Sequence, residues 1–235
     1  MARTTFKTVV VILGYFVWEL NREPTWWGWP PDRPGRLVTG AKVILEEDAE
    51  IVVITGCGEQ DGKEGVEWMK DMLYQRLAEL KDFTIYPIFQ KYTSLQIKEK
   101  LDKAVRLEYR YPDDVVQNTR RTMENVGNRI LKGENIGKVI LVSSPDHISL
   151  VIRDDLDVWG KHCPQLITDL WAIPSMTFYS ARTPEDEAIA KIENLVIIEP
   201  PFYKEVGSRA QKIFSLRNNP EALAEIDVAL QKYGK

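Results

Sequence analysis

The sequence predicts an α/β fold, a three-layer sandwich with helices on both faces of a mainly parallel, Rossmann-like sheet and further helices at the C-terminus. Two observations support this prediction. Short apolar runs recur along the chain, and several end in glycine or serine; runs that are apolar on both faces are typical of parallel strands covered on both sides. The segments between them carry apolar residues at every third or fourth position, and this alternation indicates right-handed βαβ units.

The predicted strands are five short runs rich in β-branched residues. The first is VVVIL at residues 9–13, followed by Gly14. The other four are EIVVITG at 50–56, FTIYPI at 83–88, KVILVSS at 138–144 and LVII at 195–198. Their shortness and their β-branched content favour strands over buried helices.

The start of the chain also resembles a signal peptide, because a weakly basic segment precedes an apolar run. That run ends in charged residues within 19–23, with no small-x-small cleavage site. It is also shorter than the roughly 20 residues that a membrane-spanning helix needs. A buried strand fits better, so we expect no membrane anchor and a cytoplasmic protein.

Amphipathic helices are predicted between the strands. The clearest apolar stripe consists of Val66, Met69, Leu73, Leu77 and Leu80, spaced three or four residues apart. The same spacing at Met123, Val126 and Ile130 predicts a helix over residues 118–132. Weaker patterns predict helices over residues 36–47 and 145–161.

The domain organisation follows from a change of pattern near residue 200. Two prolines, Pro200 and Pro201, close the last apolar run, and helical patterns follow at 203–216 and 221–233. We therefore expect a Rossmann-like domain over residues 1–199 and a helical extension packed on it over residues 200–235.

Composition excludes several classes of protein. The chain has 235 residues, 44% of them hydrophobic and 28% charged, which fits a globular domain. Its histidines and cysteines are Cys57, His147, His162 and Cys163, too few and too irregularly spaced for a zinc finger or a disulfide scaffold. We thus predict no metal site. The net charge of −4 predicts no nucleic-acid partner, and the sequence sets no oligomeric state.

Glycine turns follow two of the predicted strands, at the edge of the sheet where ligands bind in such folds. Gly14 follows the first strand, and Gly56 and Gly58 follow the second, where they let a backbone approach a ligand. The turn TGCGEQDG at 55–62 is near the dinucleotide pattern G-x-G-x-x-G, but its third glycine comes one place late. A tight turn without a ligand is an equally good interpretation. Cys57 in this turn is better explained as a small buried side chain than as a nucleophile.

Three polar residues follow the strand at 138–144. Ser143 and Ser144 precede a predicted helix, and His147 lies in or near its first turn. A histidine at this place can act as an acid, a base or an anion contact; the alternative is a surface histidine in a capped turn. His162, beside Cys163, is better explained by a helix end, where a cation is favoured.

A neutral polar stripe lies on the helix predicted from residue 118. Asn118, Thr122 and Asn125 are four and three residues apart, so they share one face, and Glu124 lies beside it. Neutral hydrogen-bonding groups next to an apolar stripe predict a partly buried site that needs partners. A helix cap would explain Asn118 alone.

Two segments resemble a known family. TRRTMENV at 119–126 resembles the S-x-N-T-x-E-N-A helix of the YdcF-like family, which includes the SanA and ElyC proteins, and LVSSPDHI at 141–148 resembles its L-V-T-S-x-x-H-M segment. The family's upstream landmarks are matched in order by Gly14, Arg36, Ala41, Thr55, Gly56 and Glu64 or Glu67. The resemblance covers roughly residues 6–199. Departures are a single glycine after the first strand, Arg121 in place of asparagine and Leu150 in place of arginine, for which Arg153 or Arg121 could substitute.

The resemblance implies a pocket at the carboxyl ends of the strands and a small-molecule ligand. In some members that ligand is S-adenosylmethionine, and other members are linked to polysaccharides of the cell envelope. The predicted catalytic residues are His147 and Glu124. The predicted ligand-binding residues are Gly14, Arg36, Gly56, Gly58, Glu64, Asn118, Thr122, Asn125, Ser143 and Ser144.

Three functions are compatible with these residues. The leading hypothesis is a soluble protein that binds a nucleotide-like or anionic small molecule, for which S-adenosylmethionine is one candidate. The second is a transferase or hydrolase that uses His147 as general acid or base, with Glu124 or Glu64 as its partner. The third is an interaction module that acts through PTWWGWPP at residues 24–31, a predicted loop whose tryptophans would form an exposed patch or, in the first hypothesis, a lid.

Overall fold

A five-stranded parallel sheet forms the centre of the computed structural model, which describes residues 6–14, 22–56, 58–111 and 118–177. Its strands are β1 (Lys7–Ile12), β2 (Ile51–Thr55), β3 (Val105–Glu108), β4 (Ile136–Ser143) and β5 (Leu170–Pro174). Their spatial order is β3-β2-β1-β4-β5, and every neighbouring pair is parallel. This order is that of a Rossmann-like sheet, so the predicted α/β fold is confirmed.

Helices cover both faces of the sheet. They are α1 (Arg22–Trp26), α2 (Arg36–Glu46), α3 (Gly65–Gln75), α4 (Ser94–Ala104), α5 (Thr119–Asn125) and α6 (Pro145–His162). A π-helical turn, Val126–Ile130, continues α5. The helices predicted near 36–47, 118–132 and 145–161 are thereby confirmed. No helix in the described ranges has the length and apolar content needed to cross a membrane.

The core lies on both faces of β1, the central strand. Val10 and Ile12 belong to one apolar cluster, and Val9 and Val11 belong to the cluster on the opposite face. All four side chains are fully buried. Alternate residues of a strand point to opposite faces, so an apolar run with no polar position is what a strand covered on both sides requires.

The strand predicted at 83–88 is wrong. Two 3₁₀ helices, Leu77–Asp82 and Pro87–Lys91, stand on either side of a turn there, and the Tyr86 N–H donates to the carbonyl of Phe83. Phe83 in this run and Phe89 just after it are fully buried, so these two rings anchor a turn to the core. Pro87 lacks the N–H that a central strand would need.

Other elements went unpredicted or lie outside the described residues. The strands β3 and β5 and the helix α4 were not predicted. The strand at 195–198, the helices at 203–216 and 221–233 and the extension over 200–235 fall outside the described ranges. The chain divides into two compact units, 1–190 and 191–235, and every described residue belongs to the first.

Two of the three tryptophans in the tryptophan-rich segment lie in the core, whereas the sequence predicts a loop. The helix α1 extends into this segment as far as Trp26. Two short antiparallel strands, Gly28–Trp29 and Arg33–Pro34, then form a hairpin. Trp26 and Trp27 are 1% and 0% exposed. The Trp27 ring meets the Phe83 ring edge-on, with 6.1 Å between centroids. These two tryptophans therefore do not form the exposed patch that the interaction-module hypothesis needs.

We predict that Trp27→Ala lowers the free energy of unfolding by about 3–5 kcal/mol, because it leaves a large cavity in the core. Trp171→Ala is the control, since Trp171 is 55% exposed on the edge strand β5, and its effect should stay below about 1 kcal/mol. Urea unfolding followed by circular dichroism measures both. Equal losses in the two variants would contradict the placement of Trp27 in the core.

Candidate functional site

The candidate site lies where the carboxyl ends of β1 and β4 meet. From β1 the chain proceeds through β2 to β3 on one side of the sheet, while β4 and β5 lie on the other side. A reversal of strand order opens a crevice between the two loops that leave the neighbouring strands, and ligands of such sheets bind there. Gly14 follows β1, and Ser144 follows β4, so these residues flank the crevice.

Arg36 spans this crevice. It is the first residue of α2, and its side chain is 99% buried. Its Nε donates to Ser144 Oγ over 2.9 Å, and its Nη1 donates to the carbonyl of Leu13 over 2.9 Å and to that of Gly14. A buried guanidinium needs such partners, because desolvation of an uncompensated charge costs several kcal/mol. The predicted site residues Arg36, Gly14 and Ser144 are thus joined by direct contacts.

His147 and Ser143 lie beside Arg36. Ser143 Oγ is 2.9 Å from His147 Nδ1, and Thr119 Oγ1 is 3.2 Å from His147 Nε2. Burial, and secondarily the charge of Arg36, lowers the pKa of His147 from 6.5 to about 3. The imidazole is therefore neutral at physiological pH. A neutral ring has one donor and one acceptor nitrogen, and the two hydroxyl groups can satisfy both.

Gly14 and Gly56 allow neighbouring backbone segments to pack closely. A Cβ added to Gly14 would lie 2.2 Å from the Thr55 carbonyl oxygen, and one added to Gly56 would lie 2.6 Å from Val66 N. The Gly14 N–H also donates to Thr55 Oγ1 over 3.1 Å. A side chain at either position would separate β1, β2 and α3. Gly14 thus reaches the site through its carbonyl, whereas Gly56 has a packing role in the described contacts.

Gly58 and Glu64 shape the turn that leads into α3. Gly58 has a φ of 79°, which favours glycine, and its carbonyl accepts from the Gly65 N–H over 2.9 Å. Glu64 accepts from the Arg110 N–H over 2.9 Å, and its own N–H donates to Glu67. Together these bonds order the start of α3. Among the described contacts, none joins Glu64 to His147.

The predicted residues of α5 divide into two groups. Asn118 is the N-cap and accepts from the Arg121 N–H over 2.9 Å. Glu124 forms an ion pair with Arg121 at 3.0 Å. Both contacts are local to the helix, so the cap explains Asn118. In the described part of the chain, Glu124 makes no contact with His147, and the proposed catalytic pair is not assembled there.

The other two residues of the stripe are buried. Thr122 is 5% exposed and Asn125 is 2% exposed. Asn125 Nδ2 donates to Oε1 of Glu108 over 2.9 Å, and Glu108 is the last residue of β3. This bond supplies the partner that a buried amide such as Asn125 needs. The partner was missed because β3 itself was not predicted.

Thr119, another contact, was also missed. Its hydroxyl reaches His147 from the first turn of α5. In the sequence, the only sign that Thr119 belongs to the site was its position in the segment 119–126 that resembles the YdcF-like family. Threonine at the start of a helix is otherwise usually explained by capping.

His162 and Cys163 lie away from the crevice. The Cys163 thiol is buried and donates to Asn128 Oδ1 over 3.2 Å, and burial raises its pKa. His162 lies in the last turn of α6, where the helix dipole favours a cation. Cys57 falls outside the described residues. In the described ranges, no group of three or more His, Cys, Asp and Glu side chains could hold a metal ion.

Asp155 is a buried carboxyl group that the sequence did not reveal. It lies on α6 and is fully buried, and neither carboxyl oxygen has a hydrogen-bond partner in the described part of the chain. Burial, with a smaller contribution from the charge of Asp154, raises its pKa to about 8. Asp154 is also buried, but it pairs with Arg153, and only packing shows that Asp155 differs from it.

Comparison of the chain with protein-family models, curated proteins and solved structures gives no significant match. The YdcF-like resemblance therefore stays a prediction.

We predict that His147→Gln reduces the acid sensitivity of the fold. The pKa of His147 is lower in the folded protein than in the unfolded chain, so the unfolded chain binds more protons between about pH 6.5 and pH 3. The free energy of unfolding is therefore highest above that pH window, where the ring is neutral in both states. It falls by roughly 1 kcal/mol per pH unit as the pH decreases through the window. Urea unfolding at several pH values should give a shallower loss for His147→Gln. His162→Gln is the control, and a change of the same size in both variants would contradict the burial of His147.

Asp155→Asn should have the opposite pH signature. The pKa of Asp155 rises from 3.8 to about 8 on folding, so the folded protein binds more protons across that window. Its free energy of unfolding therefore falls as the pH rises from about 4 to 8, by on the order of 1 kcal/mol per pH unit. Asp155→Asn should remove this decline and leave the variant more stable at pH 8. Asp157→Asn, on the outer side of the same helix, should leave the decline in place. A decline that persists in Asp155→Asn would refute the assignment.

Proposed function

We propose that this protein binds an anionic, nucleotide-like small molecule in the crevice between the carboxyl ends of β1 and β4. The observation that carries the proposal is the position of Arg36. Its buried guanidinium joins the carbonyls after β1 to the hydroxyl after β4, across the point where the strand order reverses. A phosphate or carboxylate at that point would meet a fixed positive charge.

The start of α6 adds to the positive potential there. Ser144 is the N-cap of this 18-residue helix, and Pro145 is its first residue. The N-terminus of a helix carries a partial positive charge and unbonded N–H groups, which favour anions. Arg36 contacts the same Ser144 hydroxyl, so side-chain charge and helix dipole act at one place.

Neutral polar groups complete the crevice. His147 is uncharged, and Ser143 and Thr119 hold its ring through both nitrogens. A ring fixed in this way can orient a ligand without competing with Arg36 for the anion. An anion bound next to His147 would also favour the protonated ring and raise its pKa.

S-adenosylmethionine is the specific ligand that the YdcF-like resemblance suggests. Its carboxylate could occupy the place in front of Arg36 that we assign to an anion. The proposal does not depend on it, since phosphate-bearing nucleotides offer the same charge. S-adenosylmethionine and a phosphate-bearing nucleotide are therefore tested separately in one calorimetric experiment.

The transferase or hydrolase hypothesis has one supporting observation, the 2.9 Å separation of Ser143 Oγ and His147 Nδ1. A serine within hydrogen-bond reach of a histidine is the arrangement of an activated nucleophile. However, burial and the charge of Arg36 lower the pKa of His147 to about 3, which makes it a weak base in the free protein. Ligand binding is thus the function that the site supports better.

Calorimetry with ADP, inorganic phosphate and S-adenosylmethionine tests the proposal. Arg36→Lys should weaken binding by at least about tenfold, because it removes the fork of donors and a charged hydrogen bond contributes roughly 1.5–3 kcal/mol. Ser144→Ala should weaken it less. Arg106→Lys is the matched control, since Arg106 also donates to a carbonyl, that of Ile130, and pairs with Glu134.

Two results would contradict the proposal. One is the absence of binding heat with all three ligands at millimolar concentration. The other is equal affinity in wild type, Arg36→Lys and Ser144→Ala. Melting temperatures identify a variant that fails to fold, and Ser144→Ala keeps the test valid if the buried position 36 tolerates no change.

A further inference from the structure

A cavity of about 260 Å³ opens beside the helices α1 and α3. It is lined by Glu23 and Trp26 of α1, by Lys63, and by Trp68, Asp71, Met72 and Gln75 of α3 with the adjoining Arg76. None of these residues contributes to the crevice around Arg36. The cavity is thus a separate feature, and its lining determines what it can hold.

Two indole rings and a thioether supply the apolar part of the lining. Trp26 is almost fully buried, while Trp68 and Met72 are half-buried. Lys63 Nζ lies 4.4 Å from the centroid of the Trp68 ring. Paired aromatic side chains favour a flat, aromatic ligand, which they can contact with large area at little entropic cost.

The charged groups of the lining compensate one another. Lys63 pairs with Asp71, and Arg76 pairs with Glu23 at 2.7 Å. Two cations and two carboxylates therefore line the cavity with no formal excess of either sign. A strongly charged ligand would have to break one of these ion pairs, so the lining favours a neutral ligand.

Trp26 contributes one further feature. Its indole N–H is buried, and within the described ranges it has no hydrogen-bond acceptor. A buried donor without an acceptor is uncommon in folded proteins and costs free energy. Trp26 lines the cavity, but its indole nitrogen has almost no accessible area, so it offers a ligand the face of its ring and not its N–H.

We propose that this cavity is a binding site for a small, neutral, heteroaromatic molecule of the size and shape of a free purine base. The ligand ring lies against Trp68 and Met72. The volume of about 260 Å³ is slightly below the usual range of about 300–1,000 Å³ for ligand pockets, which suits a single ring system. This site is independent of the anion site proposed above.

Calorimetric titration with adenine tests the second site. Trp68→Ala should weaken adenine binding by at least about tenfold, as expected for loss of a stacking partner. Trp171→Ala is a matched control, because Trp171 also lies beneath a lysine, with Lys138 Nζ at 5.2 Å from its ring, but it lies on β5 and does not line the cavity. Its adenine affinity should equal that of wild type.

A filling variant tests the cavity without deleting a wall. Met72→Trp should abolish adenine binding by occupying the space, while its melting temperature stays near that of wild type because position 72 is half-buried. This variant decides the question if Trp68→Ala fails to fold.

Ser144→Ala separates the two sites. Adenine affinity should be unchanged in it, whereas ADP or phosphate affinity should fall if the anion site exists. An adenine affinity that falls in Ser144→Ala as much as in Trp68→Ala would place the base in the crevice and overturn the second site. The absence of saturable adenine binding in wild type, or adenine binding retained in Met72→Trp, would also overturn it, whatever the outcome with ADP.

Discussion

Burial of the Arg36 guanidinium is the constraint on which the carboxyl edge of the sheet depends. A buried cation must be hydrogen-bonded, because its desolvation is otherwise uncompensated. The carbonyls of Leu13 and Gly14 and the hydroxyl of Ser144 meet that need. These bonds tie the start of α2 to the loops after β1 and β4, so one side chain fixes the crevice and supplies its charge.

The helix α6 carries two buried ionisable groups whose pH effects oppose each other. The pKa of His147 is lowered and that of Asp155 is raised, and burial is the main cause of both shifts. The fold is destabilised when Asp155 loses its proton at high pH and when His147 gains a proton at low pH. His147 has two hydroxyl contacts in the crevice, while Asp155 has no hydrogen-bond partner in the described region. Natural chains keep such costly groups most often where function requires them, and His147 fits that pattern better.

Sequence patterns predicted the buried central strands and the strongly amphipathic helices. They failed for elements whose structure depends on packing against distant parts of the chain. The strand β3 (VRLE) and the edge strand β5 are mostly half-buried, so neither shows a continuous apolar run. The apolar run at 83–88 misled because Phe83 anchors a turn to the core. Trp26 and Trp27 stand in a segment rich in proline and glycine, which indicates a loop, yet they are core residues. Local composition does not report which apolar side chains meet the core.

The sequence by itself determined the fold class and the edge of the sheet at which proteins of this fold class bind ligands, because apolar runs and the glycines or serines that end them are local signals. It also pointed to Arg36 and to the segment 143–147. Only the tertiary structure decided which of these residues meet. Arg36 and Ser144 are 108 positions apart, and their contact depends on strand order, which no local pattern contains. In the described contacts, tertiary packing also separates Glu64 and Glu124 from His147. It makes the imidazole neutral and forms the cavity beside Trp68. Burial and distance of this kind arise only when the helices pack.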